Sequence, residues 1–482
     1  MQYGIVLLTL LSLGAFGGMQ EGKKVTNHLQ KLMEDGKYVK VIEVVDLSLF
    51  GDQNEPVMNP NWVDEKNAEE LSFVLRFRIA ALENLNRSSE IDDFMEKFTS
   101  VYGESWRALQ VAAAIWNSVD HHGRVVAGKF YRGNQQRNGE YASAFERDRI
   151  RALQLMTQAA EKVKKETDPI ARGWFYIDFA EFIQNGRGGN YTSWELQDLT
   201  DIKTLPDADT ENPWSEGRRS SQVEGTPVNE DGTPLIFAVP ESFETAKSDG
   251  ERWRWALAES GKCQNETIAK LFRDEETYRL AIFYQRQFGE QTLAQIWDRF
   301  ASATGDETQE EMTRESSLLQ LETLSDSETI ARTATGIRRF TMPDGANYIQ
   351  IFKDLASRPG RFQKLAYKHL AMIAMNRRQY PHAVELFSQM NAVQLTDIPA
   401  EFHKMPYNGM DFSDWTNTIT GNWARFEPLR QQTSENPMLR LRFRNAKKAS
   451  FTAVRLDLEK LEAALKTPFA KRRPKARSLK GR

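Results

Sequence analysis

Between Arg361 and Met390 apolar positions recur at the spacing of two short helices. In the first, Ala366, Leu370, Ile373 and Ala374 fall at i, i+4, i+7 and i+8, one face of a 3.6-residue period. Asn376, Arg377, Arg378 and Gln379 interrupt that face. Tyr380, Ala383, Val384, Phe387 and Met390 resume it, with Pro381 in the first turn, where the missing N–H would be unpaired anyway. The same pattern stands near the start of the chain. Leu29, Leu32 and Met33 lead to Asp35-Gly36-Lys37, and Tyr38, Val41, Ile42 and Val45 follow. Helical periods also cover 67–85, 90–118 and 144–165, the last with Ala152, Met156 and Ala159. Residues 169–184 predict an aromatic-rich helix carrying Trp174, Phe175, Phe179 and Phe182. Beyond Ser242 the pattern predicts helices through Trp253 and Leu257, then over 266–300, 312–323, 326–335 and 345–357.

Two stretches break the helical period. From Asn185 to Pro240 the chain is crowded with Gly, Asn, Asp, Thr and Pro, and only Leu235 to Val239 offers a short strand. A loop of this length is uncommon inside a compact domain, so it is a linker, a functional loop or an excursion packed across the helices. At about Asp414 the character changes again. Leu439 to Arg444 alternates strictly, Asn445 to Lys448 makes a turn, and Ser450 to Leu456 returns, which predicts a β-hairpin. A lone hairpin is marginal in water, and too little chain follows to complete a sheet.

The spacing Tyr380, Ala383, Phe387 is that of the second helix of a tetratricopeptide-type repeat, and Tyr38, Val41 and Val45 repeat it. A small residue at the middle position lets paired helices approach, and such a hairpin needs neighbours to bury both faces. The expected fold is mainly α: a tetratricopeptide-like helical solenoid with a long irregular insertion and a C-terminal β-hairpin that begins a β-domain. Its packing positions are Tyr38, Val41, Val45, Ala152, Met156, Tyr380, Ala383 and Phe387. The parts are a signal peptide over 1–18, helical repeats over 19–184, the irregular insertion or linker over 185–240 and a second helical segment over 241–400. The hairpin region over 414–461 and a basic disordered tail over 466–482 complete the chain.

Charge and the N-terminus sharpen this picture. Residues 466–482 hold eight Lys and Arg and no acid, so the rest of the chain, −3 less those eight, stands near −11. An acidic body argues against nucleic acid as its partner, whereas the basic tail suits an anionic surface. Ile5 to Leu13 is an apolar run too short to span a bilayer. With Ala15, Gly17 and Gly18 after it, the run suits a signal peptide, although no Lys or Arg precedes it; a buried N-terminal helix is the alternative. Export to the periplasm or the exterior, with contact to the envelope, follows from the first reading. Cys263 is the single cysteine, so no intramolecular disulfide can form, and a structural thiol is expected.

No catalytic, cofactor-binding or metal-binding set emerges from the residues. His121-His122 lacks a third ligand at helical spacing and reads as solvated turn. Asp249 and Glu251 read as the acidic start of a helix rather than an acid/base pair. Arg252 and Arg254 alternate with Trp253 and Trp255, which read as helix packing rather than base stacking. Gly186-Arg187-Gly188-Gly189 has no preceding strand and no following Lys-Ser/Thr, so it reads as a turn and not a phosphate loop.

Several stretches resemble the N-terminal region of the very large bacterial alpha-2-macroglobulin-like proteins, which carry helical repeats before their macroglobulin domains. They are Val126 to Asn134, Glu146 to Arg149 leading into Arg151 to Met156, Gly225 to Val228 with Asp231 to Pro234, Ala246 to Trp255, Asp326 to Phe340, and Gly421 to Pro428. The resemblance implies a secreted or periplasmic defence protein in which protease cleavage of a bait segment closes the body, and in many members a Cys–Gln thioester then captures the protease. The thioester motif is Cys-Gly-Glu-Gln, but here Phe288 precedes Gly289-Glu290-Gln291. The bait and most macroglobulin domains would lie beyond residue 465, where the sequence turns into the basic tail, as in a truncated or frame-shifted product. The expected function is therefore a non-catalytic helical scaffold from a protease-trapping protein, inactive as an endopeptidase inhibitor alone. The alternative is an independent secreted adaptor that binds peptides or envelope proteins.

Overall fold

The computed structural model describes residues 20–51, 57–63, 68–134, 138–185, 193–213, 225–289 and 321–393 in a first compact unit. In a second unit it describes 416, 419–426, 441–444, 447, 448, 450 and 452. Twelve α-helices and seven short strands lie in these residues, so the chain is mainly α, as the periodicity predicts. The signal-like run over 1–18, the Gly186–Gly189 stretch and the basic tail fall outside the described residues.

The first unit opens with α1 (Gln20–Glu34) and α2 (Tyr38–Phe50), joined through Gly36 at φ +69°, a left-handed value that glycine adopts without strain. α3 (Ala68–Asn84) packs on both. After α4 (Ile91–Tyr102) come four helix pairs in contact: α5 (Trp106–Trp116) with α6 (Phe145–Val163), and α7 (Pro169–Gln184) with α8 (Asp249–Ser260). α9 (Glu266–Phe288) then meets α10 (Tyr348–Ser357), and α11 (Gln363–Asn376) meets α12 (Tyr380–Ala392). Each pair touches the next, through α6 and α7, α8 and α9, and α10 and α11. α7 is the core of this unit. Asp168 caps it by accepting from Ile170 N and Ala171 N, Pro169 opens it, and ten of its residues from Ala171 to Ile183 are buried. A helix apolar on all sides has to be surrounded, and α7 is, by Phe272, Trp255 and Phe243 among others.

Non-helical chain is inserted inside the first three pairs. Between α5 and α6 stand β1 (His122–Val126), β2 (Lys129–Arg132) and β3 (Glu140–Ser143), an antiparallel sheet in the order β2-β1-β3. The sequence pattern gave no strand here. Between α9 and α10 stand β4 (Glu328–Thr333) and β5 (Gly336–Thr341), paired antiparallel. This corrects the helix expected over 326–335: Thr329, Ile330 and Thr333 are β-branched residues that suit a pleated strand, and all three are buried. The helix expected over 312–323 is a single 3-10 turn at Leu321–Thr323 in its described part, and α9 is described only to Phe288 of the expected 266–300.

Between α7 and α8 runs the long irregular stretch, here a strap bonded across the helices. Ser193 Oγ donates to Gln287 Oε1 at 2.6 Å, and Thr226 Oγ1 donates to the Gln287 carbonyl at 2.8 Å. Gln154 Nε2 donates to the Ile202 carbonyl at 3.0 Å, and Ser143 and Asp209 exchange backbone bonds at 2.9 and 2.8 Å. Leu235 to Val239 forms no strand; instead Phe237 is buried against Gly250, whose lack of a Cβ makes room for the ring. α8 accordingly begins at Asp249 rather than Ser242.

In the second unit β6 (Trp423–Phe426) and β7 (Leu441–Arg444) pair antiparallel, with Ala424 opposite Phe443. The alternating run is thus a strand over Leu441–Arg444, paired with 423–426, while most of the return expected over 450–456 lies outside the described residues. The predicted packing positions hold buried sites in separate helices. Val41, Val45, Ala152, Met156, Ala383 and Phe387 are all buried, while Tyr38 and Tyr380 are half-buried at the start of their helices.

Candidate functional site: an ion-pair network beside an open cleft

One guanidinium bonds the inserted sheet to two helices. Arg132 ends β2 with its side chain sealed from solvent. Its Nε donates to Asp92 Oδ1 of α4 at 2.7 Å, and its Nη1 donates to the Asp120 carbonyl at 2.6 Å. Asp148, in the first turn of α6, takes the remaining bonds, from Nη1 to Oδ2 at 2.8 Å and from Nη2 to Oδ1 at 3.0 Å. His121 Nδ1 stands 2.8 Å from Asp148 Oδ2, and Arg147 Nη1 donates to Asp92 Oδ2 at 3.2 Å. Burial opposes the charge on Arg132, but Asp148 and then Asp92 outweigh it and hold the guanidinium more basic than usual. Opposite Arg132 in the sheet register is Gly123, where a Cβ would stand 2.6 Å from the Phe130 ring.

His121 is therefore no solvated turn residue. It is half-buried, bonded to Asp148 and edge-on to Phe145 at 5.0 Å, whereas His122 pairs with Asp120 at 3.0 Å. The pattern missed it because the partner lies 27 residues on. Arg132 and Asp148 carried no periodic signal either, and nothing in their local sequence marks burial.

Beside this network lies a cleft of about 560 Å³ between α4, the sheet, α6 and the strap. Arg132 and Asp92 form part of its wall, with Glu96, Lys129, Glu140 and Asp207 among the rest. Five carboxylates and three cations line it, and Arg132 is already engaged, so the opening presents a net negative surface to solvent. Among the described residues no group of three or more His, Cys, Asp or Glu side chains is placed to hold a metal ion.

The other candidates serve the helices. Ser248 caps α8 by accepting from Glu251 N at 3.1 Å, and Glu251 reaches back to Lys247 N at 2.7 Å, so the acids do mark a helix start. Asp249 also accepts from Thr200 of the strap through both its backbone N, at 3.1 Å, and its hydroxyl. Trp253 is buried, and Trp255 packs edge-on to Tyr176 at 5.8 Å and to Phe179 at 6.4 Å. Cys263 is half-buried with its Sγ 3.3 Å from the Asn265 carbonyl. Phe288 is buried, stacked on Tyr284 at 6.2 Å and edge-on to Phe340 at 6.0 Å.

Three further polar groups tie elements together. Asp178 of α7 accepts from Gln110 of α5 at 2.6 Å; burial and then Glu181 push its carboxyl up to about 8 against the pull of Arg279. Arg279 of α9 bridges Glu181 at 2.6 Å and Glu275 at 2.8 Å, and Arg361 adds a bond to Glu275 at 2.9 Å. Arg377, buried in the α11–α12 turn, donates to the carbonyls of Ser325 and Glu328 at 2.8 and 2.7 Å and so fastens that turn to β4. No protein-family model, curated protein or solved structure matches the chain.

Proposed function

We propose that this chain is a non-catalytic helical scaffold, and that it serves a bacterial alpha-2-macroglobulin-like protease trap. The use of its buried charge carries the scaffold reading. Arg132, Asp148, Asp249 and Arg377 each spend their bonds joining one element to another rather than facing a reacting partner. In this reading the successive helix pairs stack as a tetratricopeptide-like solenoid, and the inserted sheet, strap and β4–β5 hairpin pin one pair to the next. The resemblance carries the protease-trapping half, with export to the periplasm or exterior as part of it. Phe288, at the position matching the thioester thiol, offers no nucleophile.

The test is protease activity in the presence of the purified chain. Trypsin and elastase are expected to cleave small and large substrates at unchanged rates. Selective loss of large-substrate cleavage, the sign of a caged protease, would overturn the reading of the chain as inactive by itself. The net negative cleft favours a second reading, an adaptor that docks a basic segment of a protein partner. A reversible complex with an envelope protein, lost on Glu140→Lys, would select it.

A further inference from the structure

We infer that His369 is an acid-released latch that holds α10 and α11 against α9. The imidazole, on α11, lies parallel to the Phe352 ring of α10, with centroids 4.7 Å apart and 3° between planes. Its Nε2 stands 3.2 Å from the hydroxyl of Tyr278 on α9. Tyr278 in turn stacks on Phe362, ahead of α11, at 4.5 Å. One side chain thus touches both neighbouring helices, and Phe352 and Phe362 are buried around it.

This arrangement favours a neutral ring, because a charged one would lie between apolar aromatic faces. The neutral imidazole can share a proton with the Tyr278 hydroxyl through Nε2 in either direction, whereas the imidazolium brings a full charge against the Phe352 ring. The charges acting on it are Lys368 on its own helix and Arg286 on α9, both of which resist protonation. Three further cations of the packed elements are engaged elsewhere. Arg361 bonds Glu275, Arg358 bonds Asp274 and Asp354, and Lys353 bonds Asp326. Among the described residues no carboxylate bonds His369. Burial and then those two cations move the imidazole down to about 4. Acid therefore drives the α9 contact open, because the opened state takes the proton the closed state refuses.

Hydrogen exchange of the full chain tests this. With an opened-state imidazole at its ordinary value, the opening equilibrium of α10–α12 is expected to rise roughly 100-fold between pH 7 and pH 4, beyond any change in α4–α6. His369→Phe keeps a flat ring against Phe352 and removes the titration, so it should abolish that rise. Equal acid dependence in the variant and the parent would overturn the latch. Exchange of the imidazole C2 hydrogen in the unaltered chain, followed by mass spectrometry, supplies a check that needs no variant. A His369 midpoint near 4 supports the latch, and one near 6.5 refutes it.

Discussion

Arg132 and Asp148 meet through two hydrogen bonds of 2.8 and 3.0 Å, with 0% and 1% of their side chains exposed. The pair joins the inserted sheet to α6, and Asp92 extends it to α4. Replacing Arg132 by Met leaves the Asp148 carboxylate buried beside only His121. Removing one partner of a buried pair costs about 3–5 kcal/mol, so urea unfolding should show a loss of that size. A loss under about 1 kcal/mol would mean that the pair is open to water.

Phe387 is fully buried in α12, one turn after the small and equally buried Ala383. Phe387→Ala is expected to cost about 3–5 kcal/mol through lost burial and the cavity left behind. A change within about 0.5 kcal/mol, as at ordinary surface positions, would break the proposed pairing of α11 with α12.

The α11–α12 pair was readable because its apolar residues sit on one face of each helix, from Ala366 to Met390. The inserted segments were not, and each for its own reason. β4 is buried on both faces, with Thr329, Ile330, Ala331 and Thr333 all under 3% exposed, so it has no period-2 alternation to read. The β1–β3 sheet turns a buried arginine inward, which a hydrophobic pattern reads as solvent-facing. The strap is held by hydroxyl, amide and carbonyl bonds to distant helices, and such bonds leave no periodic trace. Because these insertions fall inside helix pairs, the spacing from one pair to the next varies and follows no single period. The cleft depends on the same insertions, so its wall was invisible until the sheet and strap were placed.

Asp178 predicts a pH dependence with a definite sign. Its carboxyl is raised to about 8 in the folded chain, so above the ordinary carboxylate range the folded state keeps a proton that the unfolded state has released. Its contribution is present in acid and is lost as pH rises through 8. Asp178→Asn retains an acceptor for Gln110 and removes the titration. The urea midpoint of the unaltered chain should fall more steeply from pH 5 to pH 9 than that of the variant. Parallel curves would show that Asp178 is ionised in the folded state.

Gly250 lies under Phe237, so Gly250→Ala drives a methyl into a ring that anchors the strap. Overpacking of this kind costs about 1–3 kcal/mol, and exchange protection should fall around 237–250. A neutral effect would mean that Phe237 is not seated there.

The central claim is that this chain supports other elements and does not itself capture a protease. Covalent capture needs an acyl group activated by a thiolate leaving group, and the position ahead of Gly289-Glu290-Gln291 is the buried ring of Phe288. Cys263, at the other end of α9 from Phe288, makes its contact with the Asn265 carbonyl. The purified chain, incubated with trypsin or elastase with and without methylamine and then run on a denaturing gel, should give cleavage products alone. A denaturant-stable adduct with the protease that methylamine abolishes would contradict it.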